Sequence, residues 1–575
     1  MTTPNSAFLQ KHPELELPLQ STSTSVAEAT VTMLRNLGVE YAFGVSGGAI
    51  APVWAALEAS EIEVLHFRHE SGAAFAAIEA YFTSDRPVVI FTTTGPGLTN
   101  AITGLMAARW EGAKVIFVSP STSAPQRGRW AFQETSSYTM PLSGLFTSGS
   151  LFHYAHTIES GEELPQVARR LEVGLEQPGG FVAHVSIPTG VQSSQTSAIP
   201  SVGRLAVGTV TASEAQIART ATLLSEGEFA IWVGFGARKA ADAIRQLVER
   251  TGAPIMCSPR GKGIFPEDRP QFLGVTGFGG HGSVLNYMQE YLPKRVLVLG
   301  TRLSEFTSFW SPMMVPERGF VHVDLDPTVF GVAYPHAETF GICSDIGEFV
   351  NKLLPYFPEN SGKCPLGLQP ESLTVRDRTQ NPVRPEVLMA AIQEVVVDNS
   401  DAVVITEAGN SFAWGTHTLR FADAERYRTS TGFGSMGHAG TGVLGAALGR
   451  KGKAVAILGD GSMLMNSEVS TAVKYRIPAV WIVLNDARYN MCHQGNNLQG
   501  YTDIDTEIPK ANFAQIAQGM GARAIRVERE SDVEEALREA MTSPVPLVID
   551  IDTDPTPQAP IGSRVQSLID QRAAE

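Results

Sequence analysis

An apolar run, Ala454–Leu458, leads into Gly459-Asp460-Gly461-Ser462, and after a helix-length stretch a second apolar run, Val480–Leu484, ends in Asn485-Asp486. In a parallel sheet both strand ends fall on the same edge, where open α/β sheets bind ligands. Asp460 and Asp486 then offer oxygens to one hard cation. Magnesium accepts such ligands and keeps further positions for phosphate oxygens and water. Gly459 and Gly461 let the backbone approach a diphosphate, and the helix expected after Ser462 points its amino end at it. A plain strand–turn–helix has the same Gly-Asp-Gly outline, so the weight lies on the second acid at this spacing.

A second candidate is Glu70, in Phe67-Arg68-His69-Glu70-Ser71-Gly72-Ala73-Ala74, where a strand gives way to a helix of small residues. A glutamate at a helix start is favoured by the helix dipole alone. Val88–Thr94 runs into Thr94-Gly95-Pro96-Gly97-Leu98-Thr99-Asn100, a rigid turn before another helix, and Ala131-Phe132-Gln133-Glu134-Thr135 follows. Packing accounts for such a turn, and a surface loop for such a pentapeptide, as readily as chemistry does.

These residues sit on α/β elements throughout. With 575 residues the chain exceeds one core and suggests about three domains. Ser21–Ser25 supplies helix caps, Val26–Leu37 has helical apolar spacing, Gly38 ends it, and strand Tyr41–Val45 runs into Ser46-Gly47-Gly48. A later segment opens in the same way: helix Arg384–Val397, strand Val403–Thr406, then Glu407-Ala408-Gly409-Asn410. Between them helix Ser213–Leu224, strands at 230–233, 253–256, 296–299 and 319–323, and Gly234-Phe235-Gly236 read as a third parallel α/β unit. The expected division is a tail over 1–20, domains over 21–194, 205–358 and 385–560, a Pro/Gly/Ser-rich linker over 359–384, and a tail over 561–575.

Composition narrows the function. A net charge of −15 opposes a nucleic-acid partner. Cys257, Cys343, Cys364 and Cys492 are scattered, which excludes a disulfide framework and a zinc ribbon and fits a reducing compartment. The first twenty residues are polar, unlike a signal peptide, and no stretch approaches the length of a spanning helix. The expectation is a cytoplasmic protein with neither nucleic acid nor membrane as partner.

In order along the chain, Glu70, Gly95–Gly97, Phe132–Glu134, Gly434–Gly437 and Gly459–Asp486 resemble the motifs of thiamine-diphosphate enzymes, over roughly residues 21–550. The resemblance is to the acetolactate synthase (acetohydroxyacid synthase large-subunit) group. It implies an α/β fold of three consecutive doubly wound parallel-sheet domains: pyrimidine-binding, central and diphosphate-binding. It implies thiamine diphosphate and Mg2+ as cofactors, with Asp460, Asp486 and the Arg488 carbonyl on the metal. Glu70 would activate the pyrimidine, with Gly47, Gly95, Pro96 and Asn100 beside the cofactor. Gly409, Asn410, Gly459, Gly461, Ser462 and Met491 would surround its remainder. Gly434 would offer its carbonyl to the aminopyrimidine, and Ser435 and Met436 would hold the cofactor bent. Gln133, with Phe132, would meet a 2-keto acid. The active unit would be a homodimer or homotetramer with sites between subunits.

Three departures stand out. The metal pair ends in Asp486 where the group has asparagine. The loop after it, Tyr489-Asn490-Met491-Cys492-His493-Gln494, lacks the group's tryptophan, and His438 follows Gly437; His438, His493 and Gln494 are therefore candidates for an altered acceptor site suited to larger or aromatic keto acids. Many members hold FAD on three consecutive glycines, here Gly234-Phe235-Gly236, while Gly280-His281-Gly282 and Gly300-Thr301-Arg302 keep part of that pattern; FAD stays open. The expected activity is decarboxylative carboligation of 2-keto acids to acetohydroxy acids or acyloins. The alternatives are a non-ligating decarboxylase and an inactive homologue serving as a binding or regulatory subunit.

Overall fold

Ser25 closes a capping box with Glu28, each accepting from the other's backbone N–H, and starts the helix Val26–Asn36. The same logic of cap, amphipathic helix and buried strand repeats along the chain. The computed structural model describes residues 23–135, 146–149, 151–197, 203, 205–358, 367, 369–370, 373–375 and 377–573. The tail over 1–20 and much of the linker over 359–384 lie outside the described residues, as does Cys364; Cys257, Cys343 and Cys492 are free thiols. By internal contacts the chain forms two units, Met1–Ala74 with Arg86–Val207, and Phe75–Asp85 with Gly208–Glu575.

In the first unit β1 (Tyr41–Gly44), β2 (Glu63–His66), β3 (Val88–Phe91), β4 (Lys114–Ser121), β5 (Tyr154–Thr157) and β6 (Phe181–Pro188) form an all-parallel sheet in the order β2-β1-β3-β4-β6-β5. Two helices follow chemically interesting turns: α1 (Glu70–Ser84) and α2 (Pro96–Glu111).

The second unit holds two more parallel sheets. The central one comprises β7 (Phe229–Val233), β8 (Ile255–Cys257), β9 (Phe272–Val275), β10 (Arg295–Leu299), β11 (Phe320–Asp324) and β12 (Thr339–Cys343), ordered β9-β8-β7-β10-β11-β12. Alternate residues of its strands enter separate cores: Ile231, Val233, Leu297 and Leu299 in one, Ala230, Trp232, Val296 and Val298 in the other. That is the signature of a sheet covered on both faces. The last sheet has β13 (Val403–Thr406), β14 (Tyr427–Thr429), β15 (Ala454–Gly459), β16 (Ala479–Asn485), β17 (Arg523–Val527) and β18 (Leu547–Asp552), ordered β14-β13-β15-β16-β18-β17. This repeats the strand order of the first unit, as the similar openings of the two segments suggest. The fold is three consecutive doubly wound α/β sheets.

Two expectations change. The stretch after Gly459 is not one helix but a single turn, Asp460–Met463, and a separate helix, Val469–Tyr475. The expected C-terminal tail forms a helix, Gly562–Ala573, whose Val565 joins the core of the last sheet. Three further helices of this unit are used below: α3 (Asn410–Thr418), α4 (His438–Arg450) and α5 (Asn490–Leu498).

The part of α1 that belongs to the second unit packs backbone to backbone on α4. A Cβ on Gly445 would collide with the carbonyl oxygen of Ala76, and one on Gly449 would reach to 2.6 Å from that of Ala80. The obstacle is main chain, so it cannot rotate away. Gly445→Ala is therefore expected to destabilise by about 1–3 kcal/mol through overpacking, outweighing the ~1 kcal/mol that alanine gains in helix propensity. A lowered midpoint of urea unfolding checks this; an unchanged midpoint would show that α4 can slide.

Candidate active site

In the last sheet the loops after β13, β15 and β16 meet at one edge. β13 and β15 are neighbours from which the strand order runs in opposite directions, the place where such sheets bind ligands. Asp460, 3% exposed, accepts N–H groups of Gly461 and Ala487, both at 2.7 Å. Ala487 takes φ +59°, a left-handed backbone that turns the chain around the Asp460 carboxylate. Asp486 accepts from Asn490 Nδ2 at 2.7 Å. Burial pushes the Asp460 carboxyl up to about 6. Burial, and then the neighbouring Asp460 charge, push Asp486 up to about 7. The buried Asp460 and the partly buried Asp486 thus repel each other, a charge that a divalent cation would neutralise.

The surroundings suit a polar, anionic ligand. A Cβ on Gly409 (φ +123°), Gly434 (φ +62°) or Gly459 would meet nothing within 4 Å, so open space lies before all three. The carboxamide oxygens of Asn410 and Asn490 are buried without a partner. Gly461 is different, since its Cβ position is filled by the Tyr489 ring, 2.6 Å away. Ser462 is buried, and the Ser435 hydroxyl donates to the Met436 carbonyl. The residues present fit a metal-bound diphosphate. The Arg488 carbonyl already accepts the Asn490 N–H at 2.9 Å and retains a second lone pair, while its guanidinium pairs with Glu507.

Four expected site residues have other employment. His438 is 2% exposed and donates from Nε2 to Glu79 Oε1 at 2.8 Å, inside the core and not toward a substrate. Gln494 gives its amide N–H to the Pro557 carbonyl at 2.9 Å and accepts the Ala559 N–H at 3.1 Å, tying α5 to the chain before the last helix. His493 uses one ring nitrogen on Thr506 Oγ1 and the other on Asn497. Met491 packs against the apolar core of the sheet. Asn485, first of the Asn-Asp pair, is likewise structural, donating to Asp550 and to the Ala511 carbonyl, both at 2.8 Å.

In the first unit the loops after β2, β3 and β4 gather the other candidates. Glu70, 7% exposed at the start of α1, accepts from Asn100 Nδ2 of α2 at 3.1 Å. Gly95 takes φ +59° and Pro96 sits in the first turn of α2. A Cβ on Gly95 would be 2.8 Å from that of Gln133, so only glycine admits this contact. Thr94 Oγ1 donates to Gln133 Oε1 at 3.3 Å. Gly47 borders Thr93, whose hydroxyl a Cβ there would touch at 2.5 Å. Phe132 is exposed.

At the corresponding edge of the central sheet the Gly-Phe-Gly turn packs on the loop after β10. Gly236 N–H donates to the Gly300 carbonyl at 3.0 Å, and the Gly234 Cα faces Thr301. The Phe235 ring lies with the guanidinium groups of Arg238 and Arg260 at 4.1 and 3.7 Å from its centre. A Cβ on Gly234 would lie 2.3 Å from that of Thr301, so this turn is closely packed on the next strand's loop.

A cofactor-binding α/β enzyme is what such sheet edges define, and comparison with known proteins says which. Residues 24–140 match the thiamine pyrophosphate enzyme N-terminal TPP binding domain, 217–353 the central domain, and 407–551 the C-terminal TPP binding domain. The chain belongs to the thiamine pyrophosphate enzyme family. It is 27% identical to a probable acetolactate synthase large subunit of Methanocaldococcus jannaschii, over 94% of this chain and 95% of that one. It is 27% identical to the acetolactate synthase isozyme 1 large subunit of Escherichia coli, over 92% and 94%. A putative thiamine pyrophosphate-containing protein of Bacillus subtilis, YdaP, is 24% identical over 92% and 91%. Among the described residues no helix is long and apolar enough to cross a membrane.

One feature of the site region is absent from the sequence reading. Glu79, 1% exposed, accepts Arg428 Nε at 2.8 Å and His438 Nε2 at 2.8 Å. Arg428 precedes the loop carrying Gly434 and Met436, and His438 follows it, so one carboxylate fastens both stems. Glu407 adds to this by accepting the N–H groups of Ala439 and Gly440 at the start of α4. The signal was present: Glu79 is the sole charge between Ser71 and Ser84. Burial raises the Glu79 carboxyl, but Arg428 and His438 outweigh it and hold the group below the ordinary range. A depressed folded-state pKa means stability present above about pH 4.3, the free-glutamate value, and lost as pH falls below it. Glu79→Ala leaves Arg428 buried without its counterion and is expected to cost about 3–5 kcal/mol, checked by denaturant unfolding at pH 7. A change under 1 kcal/mol would show the pair to be solvated.

Proposed function

We propose that this chain is a thiamine-diphosphate- and magnesium-dependent carboligase of 2-keto acids. The observation that carries this reading is the pair of mutually repelling carboxyls, buried Asp460 and partly buried Asp486, beside an open glycine-lined space. Among the described residues no three His, Cys, Asp or Glu side chains assemble into a metal site, so a cation here would complete its shell with the Arg488 carbonyl, water and diphosphate oxygens. Gly409, Asn410 and Gly459 would border the diphosphate, and Gly434, Ser435 and Met436 the ring system. Bound thiamine diphosphate supplies the electron sink that lets a 2-keto acid lose carbon dioxide and its carbonyl carbon join a second carbonyl compound. Glu70, oriented by Asn100, would hold a proton at the pyrimidine. The Gln133 amide would donate to a keto-acid oxygen. Two copies of the chain would build each site.

The test is incubation of the purified chain with Mg2+, thiamine diphosphate and 2-keto acids, singly and in pairs, with products identified by mass spectrometry. Carbon–carbon bonded products support the reading. Free aldehyde alone would make the chain a non-ligating decarboxylase, and no turnover with no cofactor uptake would make it a binding subunit. Glu70→Gln is expected to lower turnover by roughly 10²–10⁴-fold, the worth of a positioned acid–base group, with thermal unfolding unchanged. Asp460→Asn is expected to weaken magnesium-dependent cofactor uptake at least ~10-fold in calorimetry, since even outer partners of metal ligands matter that much.

A further inference from the structure

Asp460 and Asp486 are held by different means. Both Asp460 oxygens are occupied by main chain, Oδ1 by the Gly461 N–H and Oδ2 by the Ala487 N–H, each at 2.7 Å. Among the described residues the one side chain that hydrogen-bonds Asp486 is Asn490, whose Nδ2 donates to Oδ2 at 2.7 Å. The Arg488 backbone is a second donor to this acid. The rotation of the Asp486 carboxylate therefore depends on a single amide side chain.

That amide is itself fixed. Asn490 is 8% exposed, and its Nδ2 donates a second time, to the Pro555 carbonyl at 3.2 Å. A carboxylate and a carbonyl only accept, so the nitrogen must face both of them and the oxygen must point elsewhere. Pro555 belongs to a stretch pinned at several points. The Thr553 N–H donates to the Asn485 carbonyl at 3.2 Å, and the Asp554 N–H to the Val383 carbonyl at 2.8 Å. The Asp554 carboxylate accepts the Thr556 N–H at 2.9 Å, and Gln494 holds Pro557 and Ala559. Asn490 thus bridges a well-pinned main-chain segment and an acid beside open space. Its own Oδ1 is buried with no donor. Folded proteins rarely leave a buried acceptor unmatched, so this one calls for a donor that arrives from outside, such as the water of a hydrated cation.

We propose that Asn490 is a positioning residue for the divalent cation, setting the Asp486 carboxylate for an octahedral shell and accepting from a water of that shell. The inference rests on the magnesium-dependent function proposed above and adds to it the residue that tunes which metal fits. Mg2+ demands near-ideal octahedral geometry at short distances and keeps several waters, whereas Ca2+ accepts a variable number of oxygens in flexible arrangements. A steadied carboxylate and an acceptor for coordinated water favour Mg2+. A carboxylate free to swing suits Ca2+ as well or better.

Calorimetric titration of the full-length chain with Mg2+, and separately with Ca2+, tests this, each in the presence of thiamine diphosphate. Asn490→Ala is expected to weaken Mg2+ roughly 10–100-fold, the worth of an outer partner of a metal ligand. Ca2+ is expected to weaken less than about threefold, because its shell adapts. Thermal unfolding without metal checks the fold. Asn490→Ser, whose hydroxyl is one atom short of the amide nitrogen, is expected to behave alike and serves if the alanine variant unfolds. Unchanged Mg2+ affinity in a folded variant would overturn the positioning role. So would equal weakening of both ions, since loosening Pro555 or α5 alone does not discriminate between them. A wild type that takes up neither ion with thiamine diphosphate overturns the magnesium-dependent function itself, and shows this before any variant is made.

Discussion

A buried carboxylate is expensive, and Glu79 is kept ionised only because Arg428 and His438 converge on it from two ends of one loop. Neither partner can leave without stranding the acid, so the stems of the loop stay at a fixed separation. The glycines of α4 make this possible. Gly442, Gly445 and Gly449 let the Phe75–Asp85 segment lie against the helix closely enough for Glu79 to reach past it. Glu407 then fixes where α4 begins. The position of Gly434 and Met436 follows from these contacts, and the loop needs no rigidity of its own.

The first and last sheets share one strand order, and each sets its candidate residues at the edge where the order reverses. The chemistry on the two edges differs. One presents an acid steadied by an amide, Glu70 with Asn100; the other presents two neighbouring acids with glycine-lined space before them. The central sheet has the other common doubly wound order, and the turn after its first strand carries Phe235 against two arginines. Three similar sheets thus carry different sites because the loops, and not the strands, differ.

Much of this was legible in the amino-acid order. Strands of a sheet covered on both faces are unbroken apolar runs, so Val88–Phe91, Val403–Thr406 and Val480–Leu484 announce themselves. The spacing of Asp460 and Asp486 was legible because one strand–turn–helix unit fixes it. The contacts of His438 and Gln494 were hidden because their partners lie elsewhere: Glu79 precedes His438 by 359 residues, and Pro557 follows Gln494 by 63. No local pattern encodes such pairings. The helix Gly562–Ala573 was hidden for a related reason, since its Val565 packs into the core of the last sheet.

α1 begins among the contacts of one unit and ends among those of the other. A fragment starting at Gly208 would therefore lack eleven residues of its own interior, Phe75–Asp85. It would expose the bare main chain along α4 and strand a guanidinium in the core. The boundary that contacts draw is not one that a protease or a gene truncation can follow; to recover the larger piece alone, the missing stretch of helix would have to be supplied in trans or spliced back onto its front end.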